Sequence, residues 1–385
     1  MACAFLFSQA KSSALLLTRK LFYVRIYIAL NTEVLYRMSR KYNQKLISGP
    51  MLGAITAIIA MLVIFAILLS VFIIVARPFS SNGGPVNNNQ NDNYSYPFRQ
   101  EISFSAPNFA DDTVLISSAD INSSSAAVLN VTDNVIIASR KSDGQTNIIY
   151  PASMTKVMTL IVVFENLKSE SSLNDVITIS EDVVSKMEEA ESSGFGLKAG
   201  EKLTVKDLIY VMMLQSDNIA CETLARYIAE SDAAFVTMMN KKAEELGLST
   251  STTLFQNCTG LHHQYHYTTC KDMATIMAYA MKNTFCAEVL TAKSYTPSKN
   301  FRPGDGCTFW NAFLVHGTND GKISPKTAEI IAGKTGFTDY KTSGQCLVSF
   351  AKGADGKDYI VVTAKADSPT NRLNDHLYLY DTYAG

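Results

Sequence analysis

Ser153 and Lys156, a hydroxyl and an amine three residues apart in Ser153-Met154-Thr155-Lys156, have the spacing of a nucleophile and its base. On a helix, residues i and i+3 share a face, so the Lys156 amine can reach the Ser153 hydroxyl. A serine hydroxyl is a poor nucleophile until a base takes its proton, and a lysine serves as that base only if burial or nearby positive charge lowers its pKa. Pro151-Ala152 just ahead suits a first helical turn, whose N–H groups favour developing negative charge. Alone, Ser-x-x-Lys recurs by chance in a chain of this length; its company gives it weight. Ser216-Asp217-Asn218 follows 63 residues after Ser153, and Lys334-Thr335-Gly336 lies 118 residues after Ser216. In the first, Ser216 can relay a proton and the Asn218 amide can hold a substrate carbonyl. In the second, Lys334 and Thr335 offer a cation and a hydroxyl to a carboxylate, and Gly336 lets a peptide backbone come close.

Particular elements must carry these groups. A helix is expected from Pro151 to about Leu167, with Val157, Leu160, Ile161 and Phe164 at helical spacing. Further helices are expected at Val205 to Leu214, Ile219 to Glu230, Ala233 to Leu246 and Asp272 to Lys282, so that Ser216 to Asn218 falls in a turn between two apolar helices. Strands at Ala126 to Asn130 and Val135 to Ser139 flank a polar turn at Asp133-Asn134. Strands return at Glu329 to Lys334, Cys346 to Ala351 and Tyr359 to Ala364. Strands, then helices, then strands predict one α/β (α+β) unit whose terminal strands meet in a single sheet.

With these motifs in order, the sequence resembles the serine-type D-alanyl-D-alanine carboxypeptidases, or low-molecular-mass penicillin-binding proteins. The likeness includes residues 151–159, Gly200-Glu201, Leu208 to Asn218, Phe255-x-Asn257-x-Thr259-Gly260-Leu261, His266 with Asp272-Met273-Ala274, and Gly333 to Thr338, and spans roughly residues 110–384. It implies a β-lactamase/transpeptidase-like fold, an antiparallel sheet flanked by helices plus an all-helical subregion. It implies that Ser153 attacks the carbonyl between two D-alanines while Lys156 accepts its proton, with the Ser153 and Phe337 backbone N–H groups as the oxyanion hole. Ser216 and Lys156 would pass the proton to the leaving D-alanine, and Asn218 would orient the substrate. Lys334 and Thr335, beside Gly336 and helped by Arg372, would bind the terminal carboxylate. The partners implied are peptidoglycan stem peptides and β-lactam antibiotics, which would acylate the same serine. No cofactor is expected.

The sequence also departs from that family. Its second motif has Asp217 where these carboxypeptidases usually have glycine, as in class A β-lactamases. A class A-like β-lactamase also needs a Glu-x-x-x-Asn loop, and Glu244 and Glu245 have no asparagine at that step. Cys258 replaces the usual proline after Asn257. A D,D-endopeptidase using the same serine is a second enzyme reading. A catalytically silent wall-binding or β-lactam-sensing protein is the reading from another class, but such a protein needs no base beside a serine. His262, His263 and His266 raise the question of a metal, yet no carboxylate follows at zincin spacing, so none is expected.

Charge and hydropathy divide the chain. Residues 1–50 hold eight Lys/Arg against Glu33 alone, whereas from Arg99 onward 33 acidic residues outnumber 25 basic ones. Between them residues 51–76 carry no charge, and at ~1.5 Å per helical residue they span roughly 39 Å, enough for a membrane helix. The run is too long for a secretory h-region and ends at Arg77-Pro78 rather than at a small-residue cleavage site. A retained single-pass anchor is therefore expected in a bacterial cell membrane, with the basic segment 1–50 cytoplasmic and the remainder extracytoplasmic. That placement makes the cytoplasmic membrane, not nucleic acid, the partner of the basic segment. An Asn/Gly/Ser-rich linker at 77–105 would separate the anchor from a catalytic domain at 106–385. Of seven cysteines, six lie beyond the span, and no pairing is predicted among them.

Overall fold

The computed structural model describes residues 101–385 except 141–147, 193, 299–300, 303–306 and 319–323. The segments expected at 1–50 and 51–76, and most of the linker at 77–105, lie outside the described residues. Among the described residues no helix is long and apolar enough to cross a membrane.

Six strands form the main sheet: β1 (Asn108–Leu115), β2 (Ser125–Asn130), β3 (Val135–Arg140), β4 (Ala328–Gly336), β5 (Gln345–Gly353) and β6 (Asp358–Ala366), in the order β1-β3-β2-β6-β5-β4. Every residue of β2 is buried, and β6 is buried at nearly all positions, because helices cover both faces at the middle of the sheet. Continuous apolar runs suit such doubly covered strands. The turn between β2 and β3 holds Asn134 at φ +57°, with Asp133 and Asn130 hydrogen-bonded to each other. Asparagine tolerates that left-handed backbone, which is why the polar pair ends one strand and starts the next.

The expectation of an antiparallel sheet needs one correction. The chain of β1 lies outside β3, skipping β2, and therefore runs parallel to β3. The other neighbours are antiparallel. As an edge strand β1 exposes Asp111 and Asp112, and such charge discourages further strand pairing.

The helices are α1 (Lys156–Glu165), α2 (Glu181–Glu189), α3 (Val205–Leu214), α4 (Asn218–Ala229), α5 (Asp232–Glu245), α6 (Cys270–Lys282), α7 (Thr284–Thr291) and α8 (Pro369–Tyr383). The start of α3 is fixed by a reciprocal cap: Asp207 N–H donates to Thr204 Oγ1 at 3.0 Å, and Thr204 N–H to Asp207 Oδ2 at 2.9 Å. One face of the sheet packs on α6 and, through it, on the helical cluster around α1, whose residues are nearly all buried. The other face packs on α8 through Val128, Leu347, Val361, Leu379 and Tyr380. Helix α1 thus lies in the core between the sheet and the other helices, where charged side chains lose water. No disulfide joins Cys221, Cys258, Cys270, Cys286 or Cys346, which sit reduced and buried.

Candidate active site

The stretch carrying Ser153 differs from the α-helical start the sequence suggests. Ala152–Thr155 is one turn of 3₁₀-helix, closed by Met154 N–H donating to Pro151 O at 3.1 Å, and the α-helix begins only at Lys156. In a 3₁₀ turn, side chains three apart eclipse one another, so the tighter turn stacks Ser153 directly on Lys156. The two atoms, Oγ and Nζ, are 3.0 Å apart.

Two glycines shape that turn. Gly260, at φ +89°, runs so close that a Cβ on it would lie 1.9 Å from Ala152 O. Gly336, at the end of β4, would place a Cβ 2.6 Å from Pro151 O. Ala152 itself is held at φ +48°, a backbone that L-residues adopt only under constraint. The third support is His266. Gln256 N–H donates to its Nδ1 at 3.1 Å, which leaves the proton on Nε2 to be donated to Thr155 Oγ1 at 2.8 Å. Burial holds its pKa down at about 3, so the ring is neutral near pH 7. Both ring nitrogens are thereby committed to protein partners.

Lys156 has no exposed surface, and its Nζ meets Asn218 Oδ1 at 2.6 Å, Thr259 O at 2.9 Å and Ser153 Oγ at 3.0 Å. Two of these partners are carbonyl oxygens that only accept, whereas the third is a hydroxyl that also donates. A neutral amine has two hydrogens and one lone pair. The hydrogens satisfy the carbonyls, and the lone pair is left facing the Ser153 hydroxyl. Burial pushes the Lys156 pKa down, only partly opposed by negative charge that includes Asp217. The arrangement can therefore draw the proton from Ser153.

Ser216 lies in the turn between α3 and α4, at φ +57°, and its Oγ accepts from Lys334 Nζ at 2.9 Å. Asn218 opens α4 and lines the cavity; with Oδ1 occupied by Lys156, its remaining donor is Nδ2. Lys334 is buried on β4 and also donates to Thr335 O at 3.0 Å. Burial first, then the positive charges of Lys156 and Arg372, push its pKa well down. Arg372, in α8, donates from Nη1 to Gln345 Oε1 at 2.8 Å, while its buried Nε has no hydrogen-bond partner. An anion beside Lys334 and Arg372 would relieve both the repulsion and the unmet donor. Phe337 follows β4, half exposed, with its ring edge-on to Tyr340. Ser153, Asn218, Thr259, Gly260, Phe337 and Thr338 border one cavity of about 590 Å³.

In the sequence Asp217 stands out only as a departure from pattern, and the Thr259 carbonyl not at all. Asp217 Oδ1 caps α4 by accepting from Ala220 N–H at 2.7 Å, and Oδ2 accepts from Phe195 N–H at 2.7 Å. It thus ties the loop after α2 to the turn that holds Ser216 and Asn218. An Asp just before an apolar helix signals the cap, but nothing in the sequence signals the grip on Phe195. Asp217→Gly is expected to cost about 1–2 kcal/mol of stability, read as a lowered urea midpoint at unchanged m-value, because both bonds are lost. An unaltered midpoint would show that the tie is unimportant.

A family profile described as D-alanyl-D-alanine carboxypeptidase matches residues 112–368, which include every motif above except Arg372. A D-alanyl-D-alanine carboxypeptidase of Bacillus subtilis is 34% identical over 223 residues, 58% of this chain and 52% of that one. One from Escherichia coli is 33% identical over 191 residues, covering 48% and 47%. A D-alanyl-D-alanine endopeptidase of Pseudomonas aeruginosa is 29% identical, covering 60% and 67%. The chain spans about half the length of the first two of these curated relatives. Among solved structures, the Streptomyces K15 DD-transpeptidase is 26% identical with a TM-score of 0.57, covering 68% of this chain and 96% of that one.

Proposed function

Because the chain belongs to the D-alanyl-D-alanine carboxypeptidase family, we propose that it removes the terminal D-alanine of peptidoglycan stem peptides through an acyl-enzyme on Ser153. The observation that carries this reading is the set of three partners around Lys156 Nζ, which leaves its lone pair for the Ser153 proton.

In this mechanism Lys156 takes the proton as Ser153 Oγ attacks the penultimate carbonyl. The Ser153 and Phe337 N–H groups stabilise the oxyanion, a contribution usually worth several kcal/mol in enzymes that use one. Lys334, Thr335 and Arg372 hold the terminal carboxylate, with Gly336 giving the peptide room. That bound carboxylate raises the Lys334 pKa, and the resulting cation helps to keep Lys156 neutral. Ser216, hydrogen-bonded to Lys334, passes the proton onward to the departing D-alanine amine while Asn218 Nδ2 orients the acyl carbonyl. Water then releases the shortened peptide. A β-lactam acylates the same serine and, with no glutamate of the class A kind provided, leaves slowly. The enzyme works outside a bacterial cytoplasmic membrane, tethered by the apolar run at 51–76 and spaced from it by 77–105, with 1–50 inside and 106–385 as the catalytic domain.

The likeness to an endopeptidase favours one second reading, cleavage of D-alanyl cross-links by the same serine. The test incubates the full-length chain with a pentapeptide ending in D-Ala-D-Ala, with a cross-linked peptide dimer and with labelled penicillin. Release of free D-alanine and a lasting covalent label are the expected results. Cleavage of the dimer alone would favour the endopeptidase, rapid penicillin turnover a β-lactamase, and no reaction with any of the three a silent binding protein.

A further inference from the structure

Beyond the groups used above, the cavity next to Ser153 is bordered by Ala190, Glu191 and Ser192, the residues that follow α2. Glu191 is its only carboxylate among the described residues. The backbone that presents it is unusual. Glu191 N–H donates to Glu188 O at 2.9 Å and Ser192 N–H to Met187 O at 3.0 Å, closing the helix with Glu191 at φ +49°. This left-handed position after a helix is ordinarily filled by glycine, and a negative charge there opposes the helix dipole. Both the backbone conformation and the helix dipole disfavour a glutamate here. Nor is its charge neutralised: it is exposed, and among the described residues it has neither an ion-pair nor a side-chain hydrogen-bond partner.

The site is polar in the electrical sense. Lys334 and Arg372, the cations suited to a terminal carboxylate, do not border this cavity, although Ser153 does. The cavity thus shares Ser153 with the reaction but not the two cations, and on the carboxypeptidase reading the acyl part of a peptide lies on the side of Ser153 away from those cations. A lone carboxylate on the wall of a concave cleft attracts a cation more strongly than it would on a convex surface, because the cleft focuses its field.

We propose that Glu191 forms an ammonium subsite selecting peptides with a free primary amine on the acyl side of the scissile bond, such as the side-chain amine of a diamino acid. This rests on the carboxypeptidase reading of the same cavity. It makes Glu191 a specificity-determining residue that acts on binding and leaves the chemistry at Ser153 alone.

The test uses two peptides ending in D-Ala-D-Ala that are identical but for one acyl-side amine, free in the first and N-acetylated in the second. With the full-length wild type, KM is expected to be roughly three- to tenfold lower for the free amine, with similar kcat. Glu191→Gln should bring the two KM values together, Glu191→Lys should reverse the preference, and Glu191→Asp should keep part of it. Equal KM values for the wild type, or a Glu191→Gln variant that lowers kcat alike on both peptides, would overturn the assignment. Titration calorimetry of the same two peptides with Ser153→Ala makes the comparison without turnover. If the wild type releases no D-alanine from either peptide, the carboxypeptidase reading fails. If Ser153→Ala binds both peptides equally well, the Glu191 subsite fails on its own.

Discussion

Replacing Lys156 by methionine is expected to slow acylation of Ser153 by penicillin by two to four orders of magnitude, roughly what a positioned base contributes. Ser153→Ala should leave no covalent label at all. Methionine keeps most of the buried stem of Lys156, so the loss reports the amine and not a cavity. It does strand Asn218 Oδ1 and the Thr259 carbonyl, and a lowered melting temperature is expected alongside the lost rate. The pH dependence supplies an independent check. Only the neutral amine accepts a proton, so wild-type acylation should fall as pH drops through the Lys156 pKa and level off above it. Because burial lowers that pKa, the fall should lie below the 10.5 of a solvated lysine. In the methionine variant this limb should vanish. A residual rate that kept it, or a rate within about tenfold of wild type, would mean that another group takes the proton.

The second large effect is expected from a single methyl group. Gly260→Ala would drive a carbon into the Ala152 carbonyl at 1.9 Å and would also have to hold φ +89°. Backbone strain of this type costs about 1–3 kcal/mol, which a domain of this size can survive. The turn cannot yield without moving Ser153. A displacement near 1 Å at a reacting atom can cost on the order of a hundredfold in rate, so kcat and penicillin acylation should both drop by about that factor while the variant stays folded by circular dichroism. Acylation within about threefold of wild type would show that the nucleophile's turn is held by other contacts.

What the sequence discloses follows from how each element is stabilised. Helix α3 runs from Val205 to Leu214 as its apolar residues imply, since that signal is local. The strands β2, β5 and β6 are readable as apolar runs because both faces are covered, and β4, at the edge of the sheet, by its short apolar run Ile330-Ile331-Ala332. Helix α2 is not: only Val183, Val184 and Met187 are buried on it, too thin a stripe among its charges to stand out. Short α7 escapes for a similar reason, with buried Cys286, Val289 and Leu290 alone. The parallel placement of β1 depends on which side of a hairpin the chain passes, and its residues carry no mark of it.

At the site the motif side chains are legible and their scaffolding is not. Ser153, Lys156, Ser216, Asn218 and Lys334 are brought together by hydrogen bonds between residues as much as 118 positions apart. The 3₁₀ turn, by contrast, arises where Gly260 and Gly336 press on Pro151 and Ala152, a tertiary constraint that helical periodicity cannot report. The Thr259 carbonyl is backbone, which every residue possesses, so no residue type announces it. Arg372 is expected beside Lys334; its positive charge does act on Lys334, though its Nη1 donates to Gln345.

The place of β6 in the sheet bears on how the protein comes into being. Its Val361 pairs with Val128 of β2, so the last of the six sheet strands completes a ladder that the second of them leaves open. On the ribosome, the intervening helices make mostly local contacts and can settle while the hairpin of β2 and β3 waits with a bare edge. Gly336 and Lys334 emerge later still than Ser153. A nascent chain therefore carries its nucleophile through the making of about 180 further residues without the strand that shapes it, and reactivity towards penicillin should appear abruptly, only once β4, β5 and β6 have been made.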